Sequence, residues 1–84
     1  MTADDYQFSP KVFVDDKEVS INLPYHTYND AVNVARDIID AEWQDGHKLE
    51  VFIDLVAIRY DKSYNIQSWW TEKTLYHLLI KADK

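Results

Sequence analysis

The chain contains no cysteine, one glycine and only two prolines. Without cysteine it can form no disulfide and offers no thiolate to a catalytic or zinc site. A single glycine cannot build the glycine-rich loop that holds a phosphate. The apolar runs are much shorter than the roughly 20 residues that span a bilayer, and the N-terminal residues do not have the pattern of a signal peptide. We therefore expect a cytoplasmic protein.

Acidic residues outnumber basic residues in this sequence. The formal net charge is −6; residues 1–61 carry 13 acidic and 5 basic side chains, whereas residues 62–84 carry 2 acidic and 4 basic ones. A negative surface repels nucleic-acid phosphates and anionic lipids but attracts basic proteins. Acidity also keeps many proteins soluble without any further role. We expect a basic protein as partner, with no direct contact to nucleic acid or membrane.

The length of 84 residues predicts a single domain, residues 1–84. Polar and apolar residues alternate over 6–14 and again over 19–23, which is the pattern of half-buried strands. The acidic stretch 15–18 between them has the composition of a turn. A β-hairpin is therefore predicted at the start of the chain.

The stretch YNDAVNVARDIIDAEWQDG, residues 28–46, has the apolar spacing of an amphipathic helix. Thr27 or Asn29 is suited to cap its N-terminus, and Gly46 is suited to follow its end. Residues 48–60 fit helical spacing as well. Their valine, isoleucine, phenylalanine and tyrosine content favours a long strand instead, bent near Asp54.

The last part of the chain has the composition of a turn over 61–65 and of a strand over 65–70. A helix over 72–82, capped by Thr71, is favoured next, with a strand over 74–80 as the alternative. The helix would place an apolar stripe opposite a basic one. The apolar stripe is Leu75, Leu78, Leu79 and Ala82, and the basic one is Lys73, His77 and Lys81.

Together these segments predict an α+β domain of two layers. An antiparallel sheet of about four strands would carry one long helix, and a short C-terminal helix would complete the order β-β-α-β-β-α. The order of the strands in the sheet stays open.

Catalytic groups are hard to find in this sequence. His26, His47 and His77 do not stand at metal-ligand spacings, and no serine lies in a nucleophile motif. The acid pairs of the predicted turns are solvated, so nothing raises a carboxyl pKa there. We expect a non-enzymatic protein with no catalytic residue, no metal and no cofactor.

Two surface features could bind a partner. The first is an acidic stripe along the predicted helix, opposite its apolar face, although every amphipathic helix needs a solvated face. The stripe comprises Asp30, Asn33, Asp37, Asp40 and Gln44. Its three aspartates are candidate contacts, together with Asp45 just beyond it. Asp15, Asp16 and Glu18 in the hairpin form a second acidic patch.

The second feature is the SWW motif at 68–70. If Trp70 joins Ile66 in the core under the helix, Trp69 lies on the other face of the sheet, where it could meet Phe13. Either the C-terminal helix covers these rings, or Trp69 is an interface anchor together with Tyr64.

The sequence therefore predicts a protein-binding module, in its most specific form a small acidic inhibitor. It would dock on a basic, nucleic-acid-handling protein by imitating nucleic acid. In size, acidity, lack of cysteine and α+β layout the chain resembles the small inhibitors that phages and mobile elements make against host defence proteins, anti-CRISPR proteins included. This likeness of character rests on no motif, and it implies action in a host cell's cytoplasm. The alternatives are a homodimeric structural or regulatory domain that uses an exposed aromatic sheet face, and a small enzyme.

Overall fold

The computed structural model describes residues 2–83, which form four strands and one helix in the order β-β-α-β-β. Their bounds are β1 Asp5–Val14, β2 Lys17–Glu18, α1 Tyr28–Glu42, β3 Leu49–Tyr60 and β4 Ile66–Ile80. The strands make one antiparallel sheet in the order β2-β1-β3-β4. No helix among these residues has the length and apolar character needed to cross a membrane. The predicted α+β class with a four-stranded antiparallel sheet is confirmed.

β1 and β3 form the centre of the sheet. Ten consecutive residue pairs join them without irregularity, from Asp5 opposite Ile58 to Val14 opposite Leu49. β3 is the most buried strand because long strands flank both of its edges, whereas the two-residue β2 covers only the end of β1. The predicted strand over 48–60 is thereby confirmed, and the ladder to β4 shifts register beside Asp54.

α1 begins as expected, with the Thr27 side chain accepting a hydrogen bond from the Asp30 backbone N–H at 3.0 Å. Gly46 lies in the turn after the helix with φ +94°, a conformation that glycine adopts at little cost. The small residues Ala31 and Ala35 let the helix pack closely on β1 and on the adjoining side of β3. At about 22 Å, α1 covers less than half of a molecule that is 52 Å long.

The core lies under this helix. Its buried members come from β1, α1 and β3 and are Val12, Ala31, Ala35, Leu49, Val51 and Ile53. Larger, partly buried side chains close its sides, among them Phe8, Ile39, Trp43 and Leu78. The hydrophobic alternation of β1 and β3 and the apolar face of α1 therefore meet in a single layer.

The predicted C-terminal helix is wrong. Thr71 caps nothing, and residues 71–80 continue β4, paired to β3 from Val56 back to Leu49. Backbone pairing to a long, apolar neighbour prevails over a helical spacing of leucines that is too short to be stable alone. The structure therefore has one helix and is mostly strand.

A β-hairpin forms at the start of the chain as predicted, but its second strand lies within the stretch 15–18 that was expected to be the turn. Asp15 and Asp16 make a two-residue turn, and β2 comprises only the two residues that follow. The predicted strand over 19–23 is wrong, because the chain leaves the sheet there and exposes Ile21 and Leu23.

Local chemistry on the outer edge of β1 explains this departure. The Val12 N–H donates to the Ser20 hydroxyl at 3.1 Å instead of to a backbone carbonyl. The Phe8 N–H also points to this edge and donates to Tyr25. Pro10, midway between them, has no N–H to offer. The chain can therefore pair at Tyr25 and before Ser20, but not between them.

A buried carboxylate lies on the sheet face away from the helix. Asp54 is 3% exposed and contacts the Lys11 ammonium at 3.2 Å and the Thr74 hydroxyl at 2.8 Å. Among residues 2–83, the nearby buried Ser9 hydroxyl has no hydrogen-bond partner. Lys11 is one-third exposed, so solvent screens part of its attraction.

We expect Lys11→Met to lower the free energy of unfolding by about 1–3 kcal/mol, because Asp54 would keep a buried charge without its cation. Lys11→Met combined with Asp54→Leu should recover most of this loss, since no buried charge then remains. Urea unfolding of both variants and of Asp54→Leu alone completes the double-mutant cycle. Equal losses in the single and double variants would contradict this role for the pair.

Candidate functional site

The outer face of α1 carries exposed carboxylates. Asp30, Asp37 and Asp40 are all exposed, and Asn33 lies between the first two. By helical rise, Asp30 and Asp37 stand about 10.5 Å apart along the axis, and Asp37 and Asp40 about 4.5 Å. Within residues 2–83, none of the three lies within ion-pair distance of a cation. We call these three residues the helix acids.

The acids of the hairpin turn are in a different situation. Asp15 lies 2.8 Å from the His47 ring nitrogen, and its other oxygen accepts from the Lys48 N–H at 3.0 Å. Asp16 pairs with the Lys48 ammonium. Glu18 accepts a hydrogen bond from Ser20 at 2.9 Å. Asp15 and Asp16, here called the turn acids, therefore fasten the first hairpin to the loop that leads into β3.

The contacts with His47 and Lys48 stabilise a turn whose two residues have an unusual backbone conformation. Asp15 and Asp16 have φ values of +51° and +68°, in the left-handed region that only asparagine, aspartate and glycine enter readily. The hydrogen bond from His47 and that from the Lys48 N–H lower the pKa of Asp15 below its ordinary value. The hydrogen bond to Asp16 raises the pKa of Lys48. Part of the acidity predicted for this patch is thus neutralised within the chain.

The hairpin turn lies beside the C-terminal end of α1. The turn acids contact residues 47 and 48, which follow Asp45 and the C-terminal end of α1. Asp45 is exposed and forms no ion pair in the part of the chain that the structure describes. Asp40 and Asp45 therefore place free carboxylates toward this end, whereas Asp30 lies in the first turn of α1, at the other end of the helix.

Because the pKa of Asp15 is lowered in the folded state, its contribution to stability is present above the unfolded pKa of about 3.9 and is lost as pH falls through the lower folded pKa. Asp15→Asn should therefore flatten the acid limb of stability against pH, and lower stability at neutral pH. Asp45→Asn is the control, since Asp45 forms no side-chain hydrogen bond within residues 2–83. Urea unfolding between neutral pH and pH about 3 measures both; an unchanged acid limb in Asp15→Asn would contradict the assignment.

Tyr64 lies at the opposite end, at the tip of the turn between β3 and β4. The Asp61 carboxylate organises this turn by accepting from the N–H groups of Ser63 and Asn65 at 2.8 and 3.0 Å. Tyr64 is held there at φ +62° with 86% of its surface exposed. A bulky residue in this region is an outlier, and such strain is characteristic of surfaces kept for binding. Tyr64 therefore remains a candidate contact.

We expect Tyr64→Gly to raise the free energy of unfolding by up to about 1.5 kcal/mol. Glycine relieves a left-handed strain of about 1–2 kcal/mol and loses about 0.5–1 kcal/mol in backbone entropy. Tyr64→Ala keeps the strain and should bring no such gain. Guanidinium unfolding of the two variants makes the comparison. A stability loss in Tyr64→Gly larger than that in Tyr64→Ala would mean that the conformation is not strained.

Trp69 lies near this distal end and does not meet Phe13. It is half-buried opposite Ile58, whereas Phe13 is opposite Glu50, eight positions away or roughly 26 Å along β3. The Phe13 ring instead packs edge-on against Phe52, with centroids 6.0 Å apart. The prediction that the Trp69 and Phe13 rings meet is therefore wrong.

The neighbouring Trp70 does not enter the core under α1, because the helix ends well short of this region and Ile66 is 49% exposed. The Trp70 indole donates to Glu72 at 2.9 Å. Both tryptophans line a polar hollow of about 220 Å³. The other lining residues are Lys11, Asn22 and Thr71. Neither ring is covered by a second helix, since the tail is strand.

The three histidines lie apart. His26 contacts Gln7 at 3.3 Å, and His77 contacts Glu50 at 2.7 Å while stacking on Phe52. His47 is held by Asp15 at the acidic end. Among the described residues, no group of three or more histidines and carboxylates is close enough to hold a metal ion.

Sequence reasoning missed an apolar groove between α1 and β4. The helix does not reach β4, which leaves a groove of about 370 Å³ floored by the sheet. It is lined by Tyr28, Val32, Ala35, Arg36 and Ile39 of α1, Val51 and Ile53 of β3, and Tyr76 and Leu78 of β4. The signal in the sequence was the run of apolar residues over 74–80, which exceeds what one face of an exposed strand needs.

Comparisons with models of protein families, with curated protein sequences and with solved structures find no match to this chain.

Proposed function

We propose that the protein is a non-enzymatic binding module, a small acidic inhibitor that docks on a basic, nucleic-acid-handling protein. The helix acids Asp30, Asp37 and Asp40 make the central contact, and Asp45 extends it. One observation carries the proposal: these carboxylates are exposed without a cationic partner among residues 2–83, whereas the turn acids are paired with His47 and Lys48.

Geometry supports the choice of the helix over the turn. The helix acids stand in a row on a rigid element whose other face is fixed in the core by Ala31 and Ala35. Little side-chain or backbone ordering is then required on binding. A basic groove that normally holds nucleic-acid phosphates presents cations suited to such a row. Electrostatic complementarity of this kind accelerates association and fixes orientation.

The aromatic anchor of the proposal lies elsewhere on the surface. Tyr64 and Trp69 belong to the distal end, whereas Asp15 and Asp16 adjoin the start of β3, which is about 36 Å long at 3.3 Å per residue. One compact contact cannot include both ends. Docking therefore uses the helix acids and Asp45, and the distal aromatics contribute only if the partner extends along the whole molecule.

The test begins with affinity purification of the partner from a host lysate, followed by titration with the purified partner at several salt concentrations. We expect Asp37→Lys and Asp40→Lys each to weaken binding about tenfold at low salt, and less at high salt, because screening reduces the charge interaction. The partner's nucleic-acid ligand should compete with the protein.

Glu42→Lys is the matched control. Glu42 is exposed on the same helix, and its replacement by lysine reverses the same charge. Its side chain, however, leaves the helix about 160° around the axis from that of Asp40. It should leave the affinity nearly unchanged. If Asp37→Lys and Asp40→Lys bind as tightly as Glu42→Lys, the helix acids are ordinary solvated surface and the proposal is wrong.

A further inference from the structure

The two edges of the sheet are protected differently. The outer edge of β1 is covered by β2, by Val19 and Ser20, and by the bridge from Tyr25 to Phe8. β4 forms the opposite edge and has no neighbour on its outer side among residues 2–83. An edge of this kind presents free backbone donors and acceptors to other chains.

One part of β4 carries irregularities and the other does not. Register shifts occur beside Asp54, between Leu55 and Val56, and beside Tyr60, all opposite the first part of β4. Bulges of this sort twist an edge and discourage pairing. By contrast, Tyr76–Ile80 pairs without interruption with Leu49–Ile53. The regular stretch Tyr76–Ile80, here called the open run, therefore keeps the geometry that accepts another strand.

The open run is apolar on its helix face, and on its other face Leu79 lies beside His77, which contacts Glu50 at 2.7 Å. Tyr76, Leu78 and Ile80 share the helix face with their β3 partners, and the first two line the groove. Leu79 faces the other way, and Tyr76, Leu79 and Ile80 are all about 40% exposed. Residues 74–80 contain no acid, lysine, arginine, proline or glycine. Such a segment on an uncovered edge favours strand addition or aggregation.

We propose that the open run pairs with the open run of a second copy of this chain, antiparallel about a twofold axis through Leu78. The two sheets join into one sheet of eight strands with both helices on the same face. Directly opposite residues in an antiparallel pair share a face. Tyr76 therefore meets the partner's Ile80, Leu78 meets the partner's Leu78, and the groove of each copy gains an apolar side chain from the other.

Charge disfavours one alternative register. An axis through His77 would place Lys73 opposite the partner's Lys81 at both ends, and like charges directly opposite are unfavourable. The axis through Leu78 separates them. No acid lies between Lys73 and Ala82, so this register places no carboxylate of one open run against the open run of the other copy.

The dimer is independent of the proposed inhibitor function. The open run and the helix acids lie on different elements, with the groove between them. Loss of the dimer leaves the contact through Asp37 and Asp40 intact, and failure of that contact leaves the dimer intact.

Sedimentation equilibrium of the full chain over a wide concentration range should reveal a reversible dimer. Ile80→Lys should raise its dissociation constant about tenfold or more, because the twofold axis makes each change act twice. Ile66→Lys is the matched control on the same strand, with 49% exposure against 38% for Ile80, and should have little effect. Circular dichroism of both variants establishes that the fold is retained.

Two further variants test the register. Tyr76→Glu should weaken the dimer, and its combination with Ile80→Lys should restore much of the affinity, because the new charges face each other across the axis. Leu78→Cys introduces the sole cysteine at the self-paired position. The Cα atoms there would be about 4.5–5.5 Å apart, within the range of a disulfide. Oxidation should therefore give a covalent dimer more rapidly than with Ile66→Cys.

A protein that stays monomeric at every concentration would overturn the proposal. A monomer whose open run instead binds a peptide of another protein would overturn it too. A dimer that Ile80→Lys and Ile66→Lys weaken equally would overturn it as well. A dimer that is lost in Ile80→Lys but not restored by adding Tyr76→Glu would reject the Leu78 register.

Discussion

The ten-pair ladder between β1 and β3 is the interaction on which the other elements depend. It joins two strands that are separated by a turn, a short strand, a loop and the helix. β2 and β4 are then added at the two edges, and α1 packs on the half of the ladder that is nearest to Val14 and Leu49. Removal of the ladder would leave no surface on which the helix could bury Ala31 and Ala35.

Elements with complete local signals were predictable from sequence. α1 has a capping threonine, an apolar face and a glycine beyond its end, and each of these acts within a few residues. The strand over 48–60 was predictable because β-branched and aromatic residues dominate it, although its apolar residues also fit helical spacing. In these segments local preference and tertiary packing agree.

The tail was mispredicted because its pattern fits two structures. Lys73, His77 and Lys81 recur every four residues, and four residues return both to one side of a helix and to one face of a strand. Leu75 and Leu79 repeat at the same interval. Only the pairing with β3, which is remote in sequence, distinguishes the alternatives. The strand predicted over 19–23 failed for another nonlocal reason, since Pro10 on the neighbouring strand cannot donate to it.

The candidate site divides in the same way. The acidic stripe follows from helical geometry alone, and Asp30, Asp37 and Asp40 lie where the sequence places them, on the exposed side of α1. The neutralisation of Asp15 and Asp16 depends on contacts with residues 32 positions away in the chain. No local pattern indicates those contacts, so the sequence does not distinguish the paired acids of the hairpin from the unpaired acids of the helix.

The fastening of the hairpin turn to residues 47 and 48 also bears on how the ladder can assemble. Val14 and Leu49 are 35 positions apart in sequence, whereas Asp5 and Ile58, at the other end of the ladder, are 53 apart. The entropy of closing a loop rises with its length, and α1 compacts the intervening chain further. The Asp15 contacts stand beside the pair with the shortest loop. The Asp15 contacts thus favour closing the loop between Val14 and Leu49 first. The remaining pairs of the β1–β3 ladder can then form one after another toward Asp5 and Ile58.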